Sequence, residues 1–230
     1  MHTEQTPICL LSYDTPHLKT AQVIMGLHNR GFRNIDLLVM PFTKRPERTV
    51  TFQHRPSQFE GPDPRSLVAF NGGKIIEYEH WRALTKSYQW FLVCGSNLIE
   101  PEFSNCGRIL NVHAGLIPSV RGLDSFKWAI LNGLPLGNTL HKIDEHADAG
   151  EVLYHLPTPV FQEDDIQTLA RRHYENEIWM LTNFDSLLNS KSIMTLPEQP
   201  ATMRMPIAKE SEMLSAFDAF KAKYTQDRGR

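Results

Sequence analysis

The chain has 230 residues, 41% of them hydrophobic and 22% charged, with a formal charge of −2 at pH 7. That length suits one domain, or one domain with a small appendage. The small net charge gives no general affinity for nucleic acid or an anionic membrane. Cys9, Cys94 and Cys106 lie in or beside apolar runs, which argues against a disulfide framework and for a reducing, cytoplasmic setting. No cysteine or histidine pair has zinc-site spacing, so no metal is expected. The opening residues lack a basic region followed by an apolar one, and no apolar run approaches the roughly 20 residues of a membrane span.

In chain order, the apolar run at 8–13 reads as a buried parallel strand. Residues 16–30 place Leu18, Val23, Ile24 and Leu27 at helical spacing and end before Gly31, and 35–40 reads as a second strand. Strand, helix, strand is the opening of a βαβ unit. The stretch 41–73 is different: it carries Lys44, Arg45, Arg48, Arg55 and Arg65, several prolines and little periodicity, and is expected to be a long basic insertion. Order resumes with a strand at 74–78, a short helix at 80–88 and a buried strand at 90–94, broken by Gly95-Ser96. A strand at 108–112 follows, then a helix at 125–131 and extended segments at 138–142 and 151–156. The spacing of Ile166, Leu169, Ile178, Leu181, Phe184 and Leu188 predicts one long amphipathic helix over 163–188, with a shorter helix at about 210–224. The expected organisation is a main domain at 1–190 with a C-terminal extension at 191–230. The fold class is α/β, a mostly parallel twisted sheet flanked by helices. Such sheets bind ligands at the carboxyl ends of their strands.

Two of those ends carry chemistry. Asn111 and His113 are two apart on an extended segment, so their side chains share a face, and Gly115 and Pro118 shape the turn that follows. Thirty-five residues after the histidine comes His146-Ala-Asp148-Ala-Gly150, an acidic turn. An amide to hold an oxyanion, an imidazole to carry a proton near neutral pH and a carboxylate to set its charge state are the groups that acyl transfer to an amine requires.

Leu110-Asn-Val-His-Ala-Gly-Leu-Ile-Pro118 with Arg121-Gly122, Gly137-Asn-Thr-Leu-His141, and Asp148-Ala-Gly150 together resemble the signature of the folate-dependent formyltransferases. That family includes glycinamide ribonucleotide transformylase, the catalytic domain of methionyl-tRNA formyltransferase and the sugar N-formyltransferases. The resemblance is close over about residues 90–160. It implies a formyltransferase-type Rossmann-like fold, with Asn111, His113 and Asp148 as the catalytic residues. It implies N10-formyltetrahydrofolate as formyl donor, in a pterin pocket walled by Phe91, Leu92, Cys94, Gly95 and Leu98 and by Ile143, Asp144, Glu145 and His146. His141 belongs to the motif, with orientation and plain packing both open as its role.

The amine is less determined. About 40 residues follow the long helix, too few for the second domain of methionyl-tRNA formyltransferase. The first strand runs into Ser12-Tyr-Asp-Thr-Pro16, which lacks the glycine-rich phosphate loop of the glycinamide ribonucleotide enzymes. What remains resembles the sugar-nucleotide N-formyltransferases, with Arg45, Arg48, Arg55, Gly115 and Arg121 as candidate substrate contacts and Lys127 as a competing cation. A purine-biosynthesis transformylase, a non-catalytic folate-binding relative and a different one-carbon donor are the alternatives. A homodimer through the apolar face of the tail is a further expectation.

Overall fold

In the computed structural model of the chain the described residues are 7–43, 48–144 and 150–226. Seven strands form one sheet: β1 (Ile8–Tyr13), β2 (Ile35–Met40), β3 (Ile75–Glu77), β4 (Trp90–Val93), β5 (Ile109–His113), β6 (Gly137–Lys142) and β7 (Val152–Pro157). Their order is β3-β2-β1-β4-β5-β6-β7. The first five run parallel, and β6 and β7 are antiparallel additions beyond β5. The chain builds outward from β1 to β3, then returns to lay β4 on the other side of β1. The topological switch therefore falls between β1 and β4, and their carboxyl ends open the crevice where α/β sheets place ligands.

The helices are α1 (Leu18–Asn29), α2 (Pro64–Phe70), α3 (Trp81–Leu84), α4 (Pro101–Ser104), α5 (Ser125–Leu131), α6 (Ile166–Thr182), α7 (Phe184–Leu188) and α8 (Ile207–Tyr224). On one face of the sheet Val23, Ile24 and Leu27 of α1 pack with Met180, Leu181 and Phe184 against Leu10, Leu37, Leu92 and Leu140. On the other face Trp81 and Phe103 cover Cys9, Leu11, Leu38, Phe91 and Ile109. Covering both faces is why β1, β2 and β4 read as unbroken apolar runs.

A third apolar cluster lies beyond the strand ends. Phe126 and Ile130 of α5, Leu169 of α6, Met213, Phe217 and Phe220 of α8, and Phe52 and Met205 form it. The extension at 191–230 thus shares its core with the rest of the chain. The apolar face of the tail helix, expected as a dimer surface, is buried internally.

Three local expectations are corrected. The insertion contains α2, whose start is written in Asp63-Pro64: the aspartate side chain accepts from the Arg65 N–H and the proline takes the first position. The short helix after β3 is a 3-10 turn at Tyr78–His80 followed by the single turn of α3. The long helix expected at 163–188 breaks at Asn183, whose side-chain amide bonds the Trp179 carbonyl at 2.8 Å and competes with the helical ladder.

Candidate active site

β5 ends at the crevice, and its antiparallel partner β6 sets Asn111 opposite His141 and His113 opposite Thr139. Opposed residues share a face, so amide, imidazole and hydroxyl gather at one strand end. The His141 ring is buried, with Nδ1 3.1 Å from the Lys142 carbonyl and Nε2 3.1 Å from the Asn111 amide nitrogen. A carbonyl only accepts, so Nδ1 carries the hydrogen and Nε2 accepts from Asn111. His141 thereby fixes which way the Asn111 amide points. The same amide nitrogen has a second N–H, a group able to stabilise developing negative charge.

His113 is 7% exposed, and its Nε2 lies 3.0 Å from the Val120 carbonyl and 3.1 Å from Ser125 Oγ. The carbonyl again requires that Nε2 hold the hydrogen. Ser125 donates to the Gly122 carbonyl at 3.0 Å, so its oxygen can only share the His113 N–H. Nε2 is thereby anchored to the turn that follows β5 and to α5. Gly115 makes this possible: a Cβ there would stand 2.4 Å from the Val120 carbonyl and 2.9 Å from His113 Nε2. Its requirement is steric, a reason separate from the substrate contact expected of it.

The backbone between these residues is held by side chains from other elements. Thr139 Oγ1 donates to the Gly115 carbonyl at 2.6 Å and accepts the Ile117 N–H at 3.0 Å. His173 of α6 donates from Nε2 to the Ala114 carbonyl at 3.3 Å and accepts the Thr158 hydroxyl at Nδ1, 2.8 Å away. Burial drives the pKa of His173 down to about 4, so it serves as a neutral donor at ordinary pH. Sequence reasoning missed Ser125, Thr139 and His173. Thr139 was within reach, because strand alternation puts it on the His141 face.

The residues expected to wall the pterin pocket lie at different depths. Phe91 and Leu92 are fully buried in the core on opposite faces of the sheet, and Cys94 is 4% exposed, its thiol pushed up to about 12 by burial. Phe91 and Leu92 lie on an inner strand and Cys94 directly follows it, so these three side chains pack within the protein. At Gly95 a Cβ would meet Tyr13 Cδ2 at 2.8 Å and His17 Cε1 at 2.9 Å, so glycine lets both rings rest on the strand end. Leu98 projects at 94% exposure, and the Ile143 N–H bonds the Ile109 carbonyl. Asp144 is half-buried. Glu145, His146 and the catalytic candidate Asp148 lie outside the described residues, as does Arg45.

The remaining cations have protein partners. Arg55 and Lys19 both reach Glu177 at 2.6 Å, and Glu177 is 1% exposed. Burial alone would push the Glu177 carboxyl up, but Arg55 and Lys19 outweigh it and hold the pKa down to about 2. Lys127 pairs with Glu210 at 2.5 Å, both buried. Arg48 donates to the Met205 carbonyl and faces Asp124, and Arg121 reaches the Gln199 carbonyl at 3.2 Å and Glu198 at 3.4 Å. The start of α1 is also satisfied from within. The N–H groups of His17 and Leu18 bond the carbonyls of Pro62 and Gln58, and that of Lys19 bonds the Gln58 side chain. A helix start whose donors are taken offers no phosphate cradle.

Among the described residues no group of three or more histidines, cysteines or carboxylates could hold a metal ion. No described helix is long and apolar enough to cross a membrane.

Residues 89–184 match the family model described as formyl transferase. A phosphoribosylglycinamide formyltransferase of Haemophilus influenzae is 34% identical over 83 residues, 35% of this chain and 39% of the relative. A methionyl-tRNA formyltransferase of Koribacter versatilis is 26% identical over 209 residues, 84% of this chain and 60% of the relative. The chain thus spans less than two thirds of the length of these curated relatives. Among solved structures, an N-formyltransferase of Helicobacter canadensis, in complex with folinic acid and dTDP-3-aminofucose, superposes with a TM-score of 0.62 at 16% identity, covering 93% of this chain and 81% of its own. The sheet and its helices are those of the formyltransferase fold.

Proposed function

We propose that the protein transfers a formyl group from N10-formyltetrahydrofolate to the amine of a nucleotide-linked aminosugar. The observation that carries the reading is the pair at the end of β5: an amide oriented by His141 beside an imidazole whose Nε2–H is fixed by Val120. The bound folate would supply the activated formyl carbon. Asn111 would donate to the formyl oxygen as negative charge develops there, and protonated His113 would add a second stabilising charge. Asp148, by its place in the family signature, would support the imidazolium and help pass the proton that the attacking amine loses to the folate N10, whose bond to the formyl carbon breaks.

The choice of amine is supported by the start of α1. Its N–H groups are bonded to Gln58 and Pro62, which disfavours a phosphate cradled there as in the glycinamide ribonucleotide enzymes. The Helicobacter canadensis relative in complex with an aminosugar nucleotide supports the same choice.

The test is a screen of nucleotide-linked aminosugars with N10-formyltetrahydrofolate, read as the mass gain of one formyl group. Formylation of an aminosugar nucleotide at a kcat/KM well above that for glycinamide ribonucleotide is expected. The reverse preference would move the protein to the purine reading. No tryptophan quenching by reduced folate at millimolar concentration would overturn the enzyme reading altogether.

A further inference from the structure

We propose that the segment at 197–205, which lies outside the family match, is a positioning strap for His113, with Thr202 at its centre. The inference rests on His113 acting in formyl transfer. Of the acceptors that fix the ring, the Val120 carbonyl belongs to the turn joining β5 to α5 and Ser125 Oγ to the first residue of α5. That turn is no part of a helix or strand, and the strap supplies much of its hydrogen bonding.

On the near limb, the Gln199 N–H bonds the Pro118 carbonyl and Ser119 Oγ donates to the Pro197 carbonyl. On the far limb, the Thr202 N–H bonds the Arg121 carbonyl and the Leu123 N–H bonds the Thr202 carbonyl, each at 2.9 Å. Thr202 Oγ1 adds the Arg121 carbonyl at 2.8 Å or the Leu123 carbonyl at 2.9 Å. The Met205 N–H bonds Asp124, the residue that precedes α5. Gly122 lies between these contacts at φ 87°, and a Cβ there would stand 2.2 Å from the Thr202 carbonyl.

The geometry forms a continuous chain. The strap fixes the peptides at 121–123, one step from the Val120 carbonyl and from the Gly122 carbonyl that orients Ser125. Those two acceptors keep the hydrogen of His113 on Nε2. A loosened strap frees the Val120 carbonyl to turn away, and the ring then redistributes its hydrogen between the two nitrogens. Thr202 touches no reacting atom, so its effect is on how firmly the His113 Nε2–H is anchored, in the neutral ring and in the imidazolium alike, and the tautomer of the neutral ring reports that anchoring.

The experiment uses the full chain, with histidine labelled by nitrogen-15. Side-chain proton–nitrogen correlation spectra report the His113 tautomer directly, and the His113→Asn spectrum assigns the signal. The wild type should show His113 with hydrogen on Nε2. Thr202→Val, which keeps the branched shape but loses the hydroxyl, should lower that population and reduce kcat up to about tenfold with KM nearly unchanged. Gly122→Ala, which pushes the strap away, should reduce kcat by roughly 100-fold. Thr202→Ser should restore both readouts.

A wild-type tautomer and wild-type kcat in a folded Thr202→Val would overturn the proposal, and that variant decides if Gly122→Ala does not fold. If no amine substrate is formylated by the wild type, the tautomer shift still tests the strap, and the failure then belongs to the functional reading.

Discussion

Two polar regions flank the carboxyl ends of β1 and β5, and they use buried polar groups in opposite ways. Around His113 neutral side chains bond backbone atoms: Thr139, His173 and Ser125 hold the turn, and the turn's carbonyl holds the ring. Around α1 and the segment at 48–62, cations meet buried carboxylates: Lys19 and Arg55 on Glu177, Lys127 on Glu210. The first arrangement fixes geometry with uncharged groups. The second neutralises charge, because an unpaired ion would be costly to bury. A basic stretch beside an active site is therefore not by itself a substrate-binding surface: here its guanidinium and ammonium groups join the insertion and tail to the core.

The largest effect should fall in the first region. His113→Asn is expected to lower turnover by about 10²–10⁴-fold with folate affinity largely kept, measured by single-turnover kinetics beside tryptophan quenching. Near-normal turnover would remove the functional half of the contrast.

Glu177→Gln should leave turnover geometry nearly intact at first order but cost about 3–5 kcal/mol of stability, because Lys19 and Arg55 lose their shared buried partner. A urea midpoint within error of wild type would show that the cluster is not structural. The same residue predicts an acid limb. Its folded pKa of about 2 lies below the ordinary 4.5. Its contribution is thus complete above pH 4.5 and is lost as pH falls towards 2. His17 and His173, held neutral by burial with pKa about 4 against an ordinary 6.5, remove stability earlier, as pH falls from 6.5 towards 4. Urea midpoints across pH should therefore fall in two stages, and Glu177→Gln should flatten the lower one.

The smallest effect belongs to the exposed edge of the basic insertion. Arg65 bonds Asp14 at 2.5 Å and Glu77 at 3.0 Å, all three partly exposed. Arg65→Ala should change stability by no more than about 1 kcal/mol, and less in high salt. A shift of the size expected for Glu177→Gln would erase the distinction between surface and buried pairs.

Much of this was legible in the chain itself. The apolar runs of β1, β2 and β4 showed buried parallel strands because each side chain there meets a covered face. The bounds of α5 came from its apolar spacing and the Gly133 that follows it. Asn111 and His113 could be paired because strand alternation is local, and the order of the surrounding motifs identified the family. α2 was missed although its cap was present, since seven residues give little periodicity. Phe91 and Leu92 were read as pocket walls because an apolar residue near a strand end looks the same whether it meets a ligand or the core.

The sequence by itself determined the succession of strands and helices, the shared face of Asn111 and His113 on β5 and the likeness to the formyl transferase family, because these depend on near neighbours and ordered motifs. Only the tertiary structure decided which nitrogen of His113 holds its hydrogen, that His141 orients Asn111, and that Arg55 and Lys127 serve buried acids. Those facts depend on atoms up to 122 residues apart, such as Arg55 and Glu177. Whether a cation meets a ligand or a carboxylate is set by what packs beside it, which local pattern does not encode.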